Sequence, residues 1–244
     1  MAIEIKPQES ILLPGLRKAT EAAHQQIERQ PNMVRLMASD LKLHEYITVL
    51  LGFTLFFQKI EPQIIDQFEI YSANNAGNNL SYTYTPRLPL LAEDIKAMQN
   101  KIMDSSDAAD ILFLQQGLSK NAGQQEPQPS ELENITWPNI SNHLELLAVL
   151  YVLEGSSQGG KILAPRINRT LSLNEAGCKY FNLWIKPSNS WIQWQEWCKQ
   201  IEAQESSKFL ALNAPKIYHT AKQTFTAISN CMDKVGAQLL SPHS

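Results

Sequence analysis

Apolar positions recur at helical spacing over most of the chain, and no stretch alternates apolar and polar residues as a half-buried strand does. Leu13, Leu16, Thr20, Ala23, Ile27 and Val34 predict a first helix, with Pro14 near its start, where a proline costs little. Ser39 and Asp40 are candidate N-caps for a second helix carrying Leu43, Ile47, Leu50, Leu51, Thr54 and Phe57. Pro62 should kink or end that helix. The polar residues 72–86 read as a turn-rich connection. Leu88 to Met103 and Ala108 to Leu118 predict two further helices, and residues 121–138, rich in proline and glutamine, a mobile loop. Helical patterning returns over 146–163 and over Glu175–Ile185. A tryptophan-rich segment follows from Trp191 to about Phe209, then a last helix from Pro215 to Leu240. The predicted fold class is all-α: one bundle-like domain over residues 1–244.

Composition narrows the function classes. A chain of 244 residues with 43% hydrophobic and 18% charged residues can bury one substantial core. A net charge of −3 gives no electrostatic reason to expect nucleic acid or an anionic membrane as partner. No apolar run approaches the roughly 20 residues that span a bilayer, and Met1 to Lys6 lacks the basic start and apolar middle of a signal peptide. Cys178, Cys198 and Cys231 are odd in number and lack metal-site spacing, which predicts free thiols in a reducing cytoplasm.

Two stretches carry candidate chemistry. The apolar run from Leu146 to Leu153 passes through Glu154 into Gly155, Ser156, Ser157, Gln158, Gly159 and Gly160 before apolar residues resume at Ile162. Each helical glycine costs about 1 kcal/mol relative to alanine. Gly155 and Gly159 share one helical face and would let the backbone approach a large flat group; alternatively the helix simply ends at Gly155 in a small-residue turn. Near the N-terminus Thr20, His24 and Glu28 stand four apart on one face. A neutral imidazole is a good iron ligand whose second nitrogen donates to a carboxylate, the position of Glu28. Arg17, two turns earlier, suits an anionic group at the edge of whatever His24 holds. The alternative is a surface histidine beside a solvated glutamate. Glu21 and His24 also form a Glu-x-x-His unit of the kind used in di-iron bundles. The chain has no second such unit, and that reading would have to recruit Glu61, Glu145 or Glu154. His44, His143, His219 and His243 lack partners at ligand spacing and read as structural or surface residues.

Together these residues resemble the haem oxygenase family, most closely its bacterial branch. Leu16-Arg17-x-x-Thr20-x-x-x-His24 is similar to its proximal-ligand motif, and Tyr151-Val152-Leu153-Glu154-Gly155-Ser156-Ser157-x-Gly159-Gly160 to its distal-helix motif. Weaker similarity lies in Arg87-Leu88-Pro89-x-Leu91-x-x-Asp94, in Gly177-x-x-x-Phe181 with Trp191 downstream, and in Ala221-x-x-Thr224-Phe225, so that it runs from about Leu16 to Asp233. The resemblance implies a haem held between a proximal and a kinked distal helix. His24 would be the axial ligand to iron, backed by Glu28, with Gly155, Ser156, Gly159 and Gly160 over the distal face. It further implies Arg17, and Lys199 by a looser alignment, as contacts to the haem propionates, and Tyr151 and Phe225 as pocket-lining residues. The implied activity is cleavage of haem b, which is both cofactor and substrate, by O2 and electrons from a ferredoxin or reductase, to biliverdin, CO and ferrous iron.

Two departures from the family pattern stand out. Ser156 occupies a position where many members carry an aspartate that organises proton-delivering water. Residues 104–137 read as an inserted helix and loop. A haem-binding or storage protein on the same fold and a non-haem di-iron oxidase are the rival readings.

Overall fold

The structure, a computed structural model, describes residues 10–75, 82–107, 110, 113, 134–173, 176–183 and 189–240. Among them the chain forms helices and no strand. The helices are α1 (Leu12–Glu28), α2 (Pro31–Arg35), α3 (Leu43–Asn74), α4 (Leu88–Met103), α5 (His143–Gly155), α6 (Ser157–Thr170), α7 (Lys179–Asn182), α8 (Ser190–Gln204) and α9 (Ser207–Leu240). No described helix is long and apolar enough to cross a membrane.

The boundaries follow local chemistry, and several differ from the pattern-based expectation. Val34 is not in the first helix: α1 ends at Glu28, and Pro31, fitted to a helix start, opens α2, where Val34 is exposed. The helix after it is not capped by Ser39 or Asp40. The carboxylate of Glu45 reaches back to accept from the amide of Lys42 at 2.9 Å, and α3 starts one residue later. Pro62 lies inside α3, which runs twelve residues beyond it to Asn74, because Ile60, Ile64 and Tyr71 bury the helix on both sides of it. Pro215 likewise lies inside α9, which starts at Ser207, while the tryptophan-rich helix ends at Gln204.

Residues 76–81, most of 104–137 and the ends of the segment expected as a helix over Glu175–Ile185 lie outside the described residues. Of the last segment, Lys179–Asn182 is helical. Gly177 precedes it at φ +98°, a backbone state that only glycine adopts without strain. Of the expected helix from Ala108 to Leu118, Asp110 and Phe113 are described and helical.

Helices α3, α5 and α9 form the centre, with α1 laid along α9. Helix α5 is buried on all sides from Leu144 to Leu150, which explains its unbroken apolar run. Its start is capped by Asn142, whose side-chain oxygen accepts from the amides of Leu144 and Glu145. Helices α3 and α9 cross closely at Gly52, where a Cβ would come within 2.4 Å of Met232 Sδ and 3.2 Å of Met232 Cα. Helices α1 and α9 run parallel. Gly15 meets Tyr218, His24 meets Phe225, Gln30 bonds to Ser229 and Asp233, and Asn32 bonds to Met232.

Candidate functional site

The two stretches singled out by sequence are brought together by α8. Glu202, near the end of α8, accepts from Ser10 Oγ and from the amides of Ile11 and Leu12, capping the start of α1. His143, at the start of α5, stands 3.5 Å from Glu205 just beyond the same end of α8. At the opposite end of α8, Trp191 and Trp194 stack on each other and flank Tyr151 of α5. Trp194 Nε1 donates to Leu147 O. Helices α1 and α5 therefore begin at one end of α8 and run the same way. They meet where Tyr151 Oη and Thr20 Oγ1 stand 3.3 Å apart. Thr20 spends its own proton on Leu16 O, so Tyr151 is the donor.

Each helix continues one turn past that contact, α1 to His24 and α5 to Gly155. The His24 side chain is 52% exposed. Its ring stands edge-on to Phe225, with centroids 5.6 Å apart. Nδ1 lies 3.5 Å from Glu28 Oε1, and Nε2 has no hydrogen-bond partner among the described residues. The rear nitrogen thus faces a carboxylate and the front nitrogen is open to a ligand.

On the other helix the backbone breaks at Gly155 and Ser156. Helix α5 ends there and α6 restarts at Ser157, so the two alternatives for this stretch merge: one helix ends at Gly155 and another takes over a residue later. Ser156 Oγ donates to Leu153 O at 2.7 Å, which fixes its hydroxyl proton inward along the helix. A Cβ on Gly155 would make ordinary contact with Trp191 at 3.6 Å. A Cβ on Gly159 would meet nothing within 4 Å among the described residues, so the missing side chain leaves open space there. Gly160 is buried.

The remaining predicted residues are less closely joined. Arg17 is exposed on α1. Lys199 is exposed and pairs with Glu196 one turn earlier at 2.7 Å, so any anion it met would compete with that carboxylate. The carboxylates that a di-iron site would recruit are engaged elsewhere. Glu61 accepts from Tyr84 Oη and from the amides of Arg87 and Leu88, capping α4. Glu145 holds Ser141 and Lys216. Glu154 pairs with Arg87 at 2.6 Å and accepts from Tyr82 Oη. Among the described residues no group of three or more His, Cys, Asp and Glu side chains is placed to hold a metal ion. His44 and His143 are structural, the first against Asp110 and Phe113, the second against Tyr71 and Glu205. His219 is exposed on α9, and His243 lies outside the described residues.

Sequence pattern alone passed over what surrounds the bend. Tyr82 and Tyr84, in a segment read as a polar connection, are buried, and Arg87 joins them as one of the largest fully buried side chains. The available signal was Glu154 itself, a carboxylate inside an apolar run, which requires a buried partner.

Comparison with known proteins gives one family and a fold. The family model described as "Heme oxygenase" matches residues 11–233. No curated protein matches the chain. Among solved structures, heme oxygenase from Leptospira interrogans is similar with a TM-score of 0.56 at 19% identity, covering 91% of this chain and 98% of its own. Heme oxygenase-1 from the cyanobacterium Synechocystis sp. PCC6803, solved in complex with heme, is similar with a TM-score of 0.52 at 13% identity, covering 94% of both chains.

Proposed function

The chain belongs to the haem oxygenase family, and from that premise we propose that it cleaves haem b with O2 and electrons from an external donor, releasing biliverdin, CO and ferrous iron. The carrying observation is the shared level of His24 and Gly155, each one turn beyond the contact between Thr20 and Tyr151. A half-exposed imidazole with an unpartnered Nε2 stands on one helix, and backbone without side chains on the other. That pairing fits a flat ring held between them. When bound, the haem supplies both the iron at which O2 is reduced and the ring carbon that is oxidised.

The chain's own residues then have defined tasks. His24 Nε2 would hold the iron, with Nδ1 facing the Glu28 carboxylate 3.5 Å away. A histidine at this position would lack the electron push that a thiolate ligand gives. Phe225 supports the His24 ring edge-on and limits its rotation. Gly155 and Gly159 leave room above the ring for a diatomic gas, with Trp191 walling the side next to Gly155. Tyr151 holds the two helices in register through Thr20. Arg17 and Lys199 are the cations for the two propionates, Lys199 by exchanging Glu196 for the ligand. The Ser156 proton is committed to Leu153 O, so Ser156 serves as an acceptor that fixes water, with Gly160 completing the turn beneath. Three buried free cysteines fit a reducing cytoplasm, where a ferredoxin or reductase is at hand.

The test is to add hemin to the purified chain and then a reductant and electron donor in air. The haem bands are expected to give way to a bilin spectrum with release of CO. A haem spectrum that persists under these conditions would overturn the oxygenase reading and leave a haem carrier.

A further inference from the structure

A charged pair is buried directly behind the glycine bend. Arg87 Nη2 and Glu154 Oε1 stand 2.6 Å apart, with side chains 2% and 1% exposed. Tyr82 Oη donates to the same carboxylate oxygen at 2.6 Å. Glu154 Oε2, equally buried, has no hydrogen-bond partner among the described residues. Burying an ion pair generally gains no stability over well-packed apolar side chains, and an unpartnered carboxylate oxygen adds a further penalty. Stability alone therefore does not account for the arrangement, and its position suggests a geometric use.

Glu154 is the residue immediately before Gly155 and Ser156, where α5 stops and α6 begins. Beyond it, among the described side chains, few contacts hold the bend before Gly160, which is buried. Among the described residues the Ser156 hydroxyl bonds back to Leu153 of its own helix, a Cβ on Gly159 would meet nothing within 4 Å, and one on Gly155 would reach only Trp191. No acidic residue follows until Glu175. Arg87, in contrast, is fixed from a different element. Its backbone amide and that of Leu88 donate to Glu61 of α3, which also takes Tyr84 Oη. The ring of Tyr82 stacks on Trp197 of α8 with centroids 5.8 Å apart. A continuous set of contacts thus runs from the centre of α3 through Arg87 and Glu154 to the last residue before the break.

We propose that the Arg87–Glu154 pair is a clamp that sets the height of the Gly155–Ser156 bend above the His24 side of the slot. The role is positioning: neither side chain touches the ring or the gas, and both act through the backbone they hold. It rests on the haem-binding reading above. The pair fixes one geometry because a buried carboxylate cannot leave a buried guanidinium without exposing both to an apolar interior, whereas an apolar pair could slide.

The experiment compares the wild type with Arg87→Met/Glu154→Leu, Glu154→Asp and, as control, Tyr82→Phe, which leaves the ion pair in place. The double variant removes both charges and leaves the buried Tyr82 hydroxyl without its acceptor; it is expected to fold, with a urea midpoint somewhat below that of the wild type. In the apoprotein, amide hydrogen exchange across residues 152–163 should be about tenfold faster than in the wild type. In the hemin-loaded, reduced form, CO release should accelerate about tenfold, equivalent to 1.4 kcal/mol. During turnover kcat should fall with KM for hemin unchanged. Glu154→Asp keeps both charges but shortens the reach by one methylene; it should show the same changes at smaller size, and it decides the matter should the double variant fail to fold. Wild-type exchange and CO release in a folded double variant, or in Glu154→Asp, would overturn the proposal. The exchange measurement needs no haem. Failure of the wild type to bind hemin through His24 would therefore sink the functional reading while leaving the clamp to be judged on its own.

Discussion

Single residues carry the chemistry, and their burial sorts them into two kinds. His24 is half exposed with one nitrogen unpartnered among the described residues, while the cysteine thiols are buried and burial pushes each up to about 12, leaving them protonated. Replacing His24 with alanine should remove the histidine-ligated haem spectrum and leave far-ultraviolet circular dichroism unchanged, because the side chain is not part of the core. An unchanged Soret band would exclude His24 as ligand. Asp94 is fully buried and caps α7 by accepting from the amides of Lys179 and Tyr180. Burial pushes it up to about 6, against the opposing pull of those amides. The unfolded chain protonates at about 3.9, so between the two values the native state holds more protons and stability falls as pH rises through this window, at about 1.4 kcal/mol per pH unit. Asp94→Asn mimics the protonated form. Its stability relative to the wild type in urea unfolding should therefore rise from pH 5 to pH 7, and a difference independent of pH would refute the assignment.

At the scale of helices, glycine plays two separate parts that substitution can tell apart. Gly52 lets α3 and α9 cross, and a Cβ there would meet the backbone of Met232. Gly52→Val should cost about 1–3 kcal/mol by overpacking, read from the urea midpoint. Gly159 faces open space, so Gly159→Leu should unfold at the wild-type midpoint or above it. The same variant should slow CO binding to the reduced, hemin-loaded protein; normal binding would count against a ring beneath Gly159. Spacing alone made the glycine stretch and the His24 stretch visible, because a thinned face and a polar ladder of three residues four apart are local features. The ends of α1, α3 and α9 were not legible, because tertiary burial decides them. Pro62 and Pro215 are carried inside long helices whose flanks are packed, and Glu45 reaches back to cap α3 in place of the better-looking Ser39 and Asp40.

At the scale of the whole molecule, the fold brings to one end of α8 what the sequence holds more than a hundred residues apart. The all-helical class and the family were legible, since the proximal and distal stretches are short and contiguous. What joins them was not. Glu202 capping α1, Tyr151 bonded to Thr20, and Arg87 paired with Glu154 are all long-range contacts between residue types that any surface could carry. Ser10 and Glu202, for instance, have no shared pattern until the two helix ends meet.

The central claim is that His24 and the glycine bend grip opposite faces of one ring, and paramagnetic broadening tests it most directly. Ferric hemin is added to isotope-labelled protein and the signals of His24, Gly155, Gly159, Gly160, Gly52 and Gly236 are followed together. The first four are expected to be lost at one equivalent while Gly52 and Gly236 remain. Loss of the His24 signal with those of Gly155, Gly159 and Gly160 intact would contradict the claim.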